Sequence, residues 1–219
     1  LQRAAKALIS SNTPLRKIAR TAHYENTDSF IRSFSQHFNT PPIAYRKRGE
    51  WLITEIKKST QGDPKMYTVT IKELPALKLA VIEHQGSYLK IGQAFEKVFA
   101  ISHQHNLLHN NTRAFGIYYD NPNEIPEKDL RAKAGITISD EDNPETGLSI
   151  TTTASGKYAT MIHTGAYSEL ENAYQWLYGV WLINSDEEPA NAPVLEEYLN
   201  NPREVPAHQL KTAIYLPLK

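Results

Sequence analysis

What most constrains this chain is a repetition within its own sequence. Val81-Ile82-Glu83-His84-Gln85-Gly86-Ser87-Tyr88 corresponds to Thr160-Met161-Ile162-His163-Thr164-Gly165-Ala166-Tyr167 at an offset of 79, and Phe95 and Phe99 fall on Tyr174 and Tyr178. After one extra residue, Gly116-Ile117-Tyr118-Tyr119-Asp120-Asn121-Pro122 falls on Glu196-Glu197-Tyr198-Leu199-Asn200-Asn201-Pro202. Self-similarity of this kind implies one supersecondary unit used twice. Within the first copy, Tyr67 to Ile71 and Leu77 to His84 alternate as strands do, and a helical stretch follows from Tyr88 to about Ser102. The expected fold is therefore α+β: a duplicated strand-helix-strand domain over residues 67–219, with repeats at about 67–122 and 131–217, its helices packed on antiparallel sheet.

Duplication of this type leaves a groove between the halves, a common place for a ligand. Side chains alternate along a strand, so Glu196 and Tyr198 share one face and Leu195, Glu197 and Leu199 the other. Gly116 and Tyr118 occupy the equivalent places in the first repeat. A carboxylate among aromatic rings attracts a hydrophobic cation through both charge and ring faces. Glu196, Tyr198, Tyr118, Tyr167 and Trp176 are the expected ligand-binding residues, with Tyr174 and Trp181 as further wall candidates that helical spacing also suits to plain core packing.

Ahead of the repeats the chain changes character. Residues 1–58 carry 11 Lys and Arg against 4 Asp and Glu, whereas the remainder carries 13 against 20, a division hidden by a formal net charge of zero. A basic segment beside an acidic domain is expected where only one of the two meets nucleic acid. Leu1 to Ser11 reads as helix, so the chain is expected to continue an upstream element. Ser11-Asn12-Thr13-Pro14 then starts a short helix bearing Leu15, Ile18, Ala19 and Ala22. After a turn at His23 to Asn26, Thr27 or Asp28 is placed to cap a second helix, whose Phe30, Ile31, Phe34 and Phe38 form a buried stripe. Its polar face carries Ser29, Arg32, Ser33 and Gln36, and Tyr45-Arg46-Lys47-Arg48 follows as a basic tail. Two helices joined in this way can lay the second in a DNA major groove, so Thr27, Ser29, Arg32, Ser33, Gln36, Arg46, Lys47 and Arg48 are the expected DNA contacts.

Ile18-Ala19, Tyr24, Phe30, Phe34, Phe38, Pro42 and Tyr45-Arg46 resemble the second helix-turn-helix of the AraC-type regulators. That family uses two such units. Here only the second and its linking helix match, over 1–48, and 49–66 reads as a linker. The resemblance implies double-stranded DNA as a partner, bound weakly without a first unit, with RNA polymerase as a further candidate. His23 and Asn39 stand where the family usually has glycine, so both turns must form without that freedom.

From Tyr67 onward, Tyr118-Tyr119-Asp120-Asn121-Pro122, Leu195-Glu196-Glu197-Tyr198-Leu199-Asn200-Asn201 and Ile214-Tyr215-Leu216-Pro217 resemble the GyrI-like effector-binding domain. That family includes gyrase-inhibitory proteins and the sensor domains of multidrug-responsive bacterial regulators. In it a glutamate two residues before a tyrosine sits at the bottom of an aromatic pocket, and Glu196 matches that position. The combined expectation is a ligand-responsive transcription regulator, not an enzyme, sensing a small lipophilic or cationic effector. The alternatives that the family supplies are a small-molecule hydrolase and a gyrase-interacting module.

The remaining features narrow the chemistry. The chain has no cysteine, so disulfides and thiolate metal sites are excluded, and no apolar run approaches the ~20 residues of a membrane helix. A cytoplasmic protein without membrane contact is expected. His103, His105 and His109 cluster in sequence but face different sides of a helix, so no metal is expected and no cofactor motif is present. His84 and His163 are repeat equivalents ahead of a glycine turn and read as structural.

Overall fold

The computed structural model describes residues 1, 4, 5, 7, 8, 11, 13–38, 40–47, 67–122, 124–139, 141, 142 and 147–219. They divide into two compact units, one comprising Leu1–Met66 with Asn172–Glu187 and the other Tyr67–Glu171 with Glu188–Lys219.

The first unit holds the two helices expected from the spacing, α1 (Leu15–Thr21) and α2 (Thr27–Phe38). Ala4, Ala5, Leu8, Ile18, Ala19, Phe30 and Phe34 form its buried core. Phe34 stands at the centre of an aromatic chain, 5.5 Å from Phe30, 4.4 Å from Phe38 and 5.3 Å from Tyr45 between ring centroids. His23 takes the left-handed conformation at φ 63°, as a turn normally given to glycine requires, while Asn39 lies outside the described residues. The cap of α2 differs from expectation: it is Asn26, whose Oδ1 accepts from the Ser29 N–H at 2.7 Å, and Thr27 already belongs to the helix. The basic stretch is helical as far as Lys47, over residues 42–47, with Pro42 suited to a first turn that needs no N–H donor.

In the second unit eight antiparallel strands form one sheet: β1 (Val69–Leu74), β2 (Lys78–Gln85), β3 (Ala114–Tyr118), β4 (Arg131–Thr137), β5 (Ser149–Thr152), β6 (Gly156–Thr164), β7 (Val194–Tyr198) and β8 (Lys211–Pro217). Their order is β1-β6-β8-β7-β3-β4-β2-β5, symmetric about the β7–β3 seam. β4 occupies the place of β8, so it closes the first repeat, whereas the sequence reading began the second repeat there, at residue 131. The edge strands are exchanged. β1 of the first repeat pairs with β6 of the second, and β5 of the second pairs with β2 of the first.

Helix α3 (Gly92–Gln104) packs Ala94 and Val98 onto Ala80, Ala132, Ala134 and Ile136 on one face of the sheet. The opposite face gathers Leu79, Val81, Phe115, Ile117, Tyr158, Leu195, Ala213 and Tyr215, with Leu74 and Leu77 packed against them. Antiparallel pairing keeps partners on one face, so the alternation read from the sequence settles which residues meet.

The second repeat's helix, α4, runs as α-helix over Leu170–Trp176, turns π-helical over Leu177–Trp181 and closes with Leu182–Asn184. A π-turn holds one residue more than an α-turn. The short 3-10 turns that open the two helical regions, Tyr88–Lys90 and Tyr167–Glu169, keep the offset of 79, whereas the helix C-caps His105 and Ser185 are already 80 apart. The extra residue that shifts the repeat is therefore inside α4.

Candidate functional site

Gly116 and Glu196 are direct partners across the β3–β7 seam, on the α3 face of the sheet. They are also repeat equivalents, so the axis relating the two halves passes between them. Only one of the two positions can carry a long side chain there. A Cβ on Gly116 would stand 2.6 Å from Cε2 of Tyr118, because that ring leans back over the glycine. The space thus cleared lets Tyr118 and Tyr198, two residues beyond the axis in opposite directions, bring their hydroxyls to 2.6 Å. Tyr198 donates to Glu196 Oε2 at 3.0 Å, and Glu196 is 4% exposed.

Further rings hold this arrangement. Tyr88 meets Tyr118 edge-on at 4.8 Å, while Phe95 at 5.1 Å and Tyr167 at 5.4 Å do the same to Tyr198. T-shaped pairs of this kind contribute roughly 0.5 to 1.5 kcal/mol each beyond area burial. Burial and the nearby Glu196 charge push the hydroxyls of Tyr118 and Tyr198 well above the ordinary phenol range, so both remain proton donors at neutral pH. Burial and the same charge also raise Tyr167. A carboxylate so removed from water needs donors, and the tyrosines supply them.

Four of the five residues expected at a ligand site, Glu196, Tyr198, Tyr118 and Tyr167, are thus brought together. Trp176 ends the α-helical part of α4 and groups with the other compact unit. Tyr88 and Phe95 were missed, although repeat symmetry offered the signal: Tyr88 is the equivalent of Tyr167. Glu197, one residue on, faces the other way and has a different job. Arg113 grips it through Nε and Nη2 at 2.6 and 2.7 Å, and Tyr215 donates to it at 2.6 Å. Two clefts lie away from Glu196, one of about 420 Å³ lined by Lys78, Ile138, Ile150 and Thr152 and one of about 40 Å³ beside Phe115 and Tyr215.

On the first unit, Arg32 and Gln36 are exposed on α2, with Ser29 and Ser33 half-buried beside them and Thr27 opening the helix. Lys47 is exposed and Arg48 lies outside the described residues. Arg46, expected at a phosphate, is engaged internally: its guanidinium donates to the carbonyls of Leu8 at 3.0 Å and Thr13 at 2.5 Å. Thr13 lies just before α1, so its carbonyl is outside that helix. Among the described residues no three of His, Cys, Asp and Glu converge as metal ligands; His109 lies 3.4 Å from Asp142. His84 faces the Ser87 carbonyl at 2.8 Å, and buried His163 meets the Tyr67 hydroxyl at 3.0 Å.

A duplicated α+β domain with one carboxylate buried among aromatic rings at its axis defines a small-molecule-binding module. Residues 67–219 match the GyrI-like small molecule binding domain, and the chain belongs to that family. It is similar to a DNA gyrase inhibitor of Edwardsiella piscicida, 29% identical over 62% of this chain and 88% of the relative, and to one of Escherichia fergusonii, 27% identical over 51% and 72%. Among solved structures, the EcmrR C-terminal domain has a similar fold, with a TM-score of 0.61 at 19% identity over 70% of this chain and 98% of that one. The cryo-EM structure of the EcmrR-DNA complex in EcmrR-RPo matches over 93% of this chain and 81% of that one, with a TM-score of 0.61 at 20% identity. A hydrolase from Listeria innocua shares the fold at 13% identity over 76% of this chain and 97% of that one, with a TM-score of 0.53. No helix among the described residues is long and apolar enough to cross a membrane.

Proposed function

We propose that this chain is a ligand-responsive transcription regulator of the cytoplasm. Its helix-turn-helix unit contacts double-stranded DNA, and its GyrI-like domain takes a lipophilic cation at Glu196. The observation that carries the sensor reading is the near-complete burial of Glu196 in a ring of tyrosines. The DNA reading is supported by the exposed Arg32 and Gln36 on α2, by the basic charge of residues 1–58, and by a fold match that extends over most of the chain to a DNA-bound protein. The AraC-type character of residues 1–48 belongs to this proposal, as does RNA polymerase as a candidate partner of the DNA-bound form. The relatives' name supports a second reading, a gyrase-interacting module, and inhibition of gyrase supercoiling by the purified chain would favour it.

Thermal denaturation with thioflavin T, its uncharged benzothiazole aniline analogue and a lipophilic arylsulfonate tests the sensor. A ligand at about 100 times its Kd stabilises by about 2.7 kcal/mol, or roughly 5 to 10 °C in a chain of this size. The cation is expected to raise the melting temperature most and the sulfonate least; equal shifts for all three would exclude a carboxylate-based site. For DNA, affinity is expected to fall steeply with salt, and Lys47→Gln to shallow the logarithmic slope by about one unit. An unchanged slope in a binding titration would remove Lys47 from the phosphate contacts.

A further inference from the structure

We infer that the Tyr118–Tyr198 hydroxyl chain is a built-in competitor for the cationic ligand: it occupies Glu196 when the site is empty and has to be displaced on binding. This rests on the cation reading of Glu196 and adds what sets the affinity and selectivity of that site. Tyr198 directs its only hydroxyl proton at Glu196, which leaves its oxygen to accept the proton of Tyr118 across 2.6 Å. The carboxylate is thereby solvated from inside the protein. A cation approaching Oε2 competes with a donor already in place, and a hydroxyl that it displaces needs a new acceptor.

Three features build the device. Gly116 makes the room, because the ring of Tyr118 lies against the place of its missing Cβ, and from there the hydroxyl reaches its partner. Tyr88 braces Tyr118 at the ring edge and is itself anchored: the carbonyls of Asp120 and Arg131, each 3.0 Å from its hydroxyl, share its one proton, and its oxygen accepts from the Asp120 N–H at 3.1 Å. Phe95 and Tyr167 brace Tyr198 in the same way. The competitor is thus presented at Glu196 by fixed rings with little entropy to lose, which makes it effective against weak cations and surmountable by ligands that add a large apolar contact.

The test is to remove each hydroxyl and keep the ring. Fluorescence titration of the full chain with thioflavin T is expected to show Tyr118→Phe binding threefold to tenfold more tightly than wild type, and Tyr198→Phe at least as much more tightly, since a neutral hydrogen bond of ordinary strength is no longer exchanged for the ligand. The uncharged analogue is expected to change less than twofold. Equal or weaker cation binding in both variants would overturn the inference and make the hydroxyls ordinary ligand contacts. Glu196→Gln in the same assay separates the two levels: if it leaves cation binding unchanged, the cation reading itself fails. A ligand-free readout guards against a poor probe. Modification of Glu196 by a water-soluble carbodiimide, followed by peptide mass spectrometry, is expected to be faster in Tyr118→Phe and Tyr198→Phe, and equal rates in all three proteins count against the competitor.

Discussion

Glu196→Gln is expected to abolish the preference for charged over neutral ligands, weakening thioflavin T by roughly tenfold to a hundredfold while leaving its uncharged analogue within about threefold. The glutamine keeps the size and can still accept from Tyr198, so the cage is retained and the charge is what changes. Hydrogen bonds and ion pairs to a carboxylate removed from water are stronger than neutral ones, which is why the expected loss exceeds one order of magnitude. Isothermal titration of both ligands against both proteins checks it. A uniform loss for charged and neutral ligands would mean that the variant has disrupted the ring of tyrosines around position 196, and no loss for either would take Glu196 out of the site.

Its neighbour is expected to behave quite differently. Glu197 is held by both arms of Arg113 and by Tyr215; burial tends to raise its carboxyl, but those hydrogen bonds outweigh it and hold it below the usual carboxylate range. Glu197→Ala leaves the Tyr215 hydroxyl buried without its acceptor and is expected to cost about 3 kcal/mol. Arg113 is 43% exposed on its side chain and can turn to water, so the cost stays below that of breaking a fully buried pair. In thermal denaturation this corresponds to a fall of about 6 to 12 °C. Because the folded-state carboxyl titrates below its unfolded value, this stability is present above about pH 4.3 and lost as the pH falls through the folded-state pKa. The gap between wild type and Glu197→Ala should therefore narrow on acidification below pH ~4. A constant gap down to low pH would show that the charge of Glu197 contributes little.

Two adjacent glutamates in one strand thus face opposite sides of the sheet, Glu196 among tyrosines and Glu197 on Arg113 and Tyr215, and the alternation of strand faces was enough to separate them in the sequence. Repeat symmetry likewise placed Glu196 opposite Gly116 and gathered Tyr118, Tyr167 and Tyr198. What periodicity could not reveal was which strands pair across the repeats, since a strand's alternation is the same whichever neighbour it finds; the exchange of β1 and β5 was invisible for that reason. Arg46 looked like a phosphate ligand because composition and position say nothing about carbonyls brought near by folding, those of Leu8 and Thr13. Trp176 was assigned on residue type alone, and the π-turn that follows it left only a trace, the change of offset from 79 to 80.

The exchange of edge strands also dictates an order of events during synthesis. β1 leaves the ribosome early, yet its hydrogen-bonding partner β6 belongs to the later half, and β6 in turn needs β8, which follows all the others. The first repeat cannot complete itself as it emerges: it lacks the strand β5 that covers its own β2. Its backbone edges therefore wait unpaired while more than half of the domain is still being translated, the condition under which nascent strands aggregate or find a neighbouring chain. An intermolecular exchange, with β1 of one molecule on β6 of another, uses the same contacts as the monomer. Crowded polysomes are where that error has its greatest chance, and slower or cooler expression is the direct remedy.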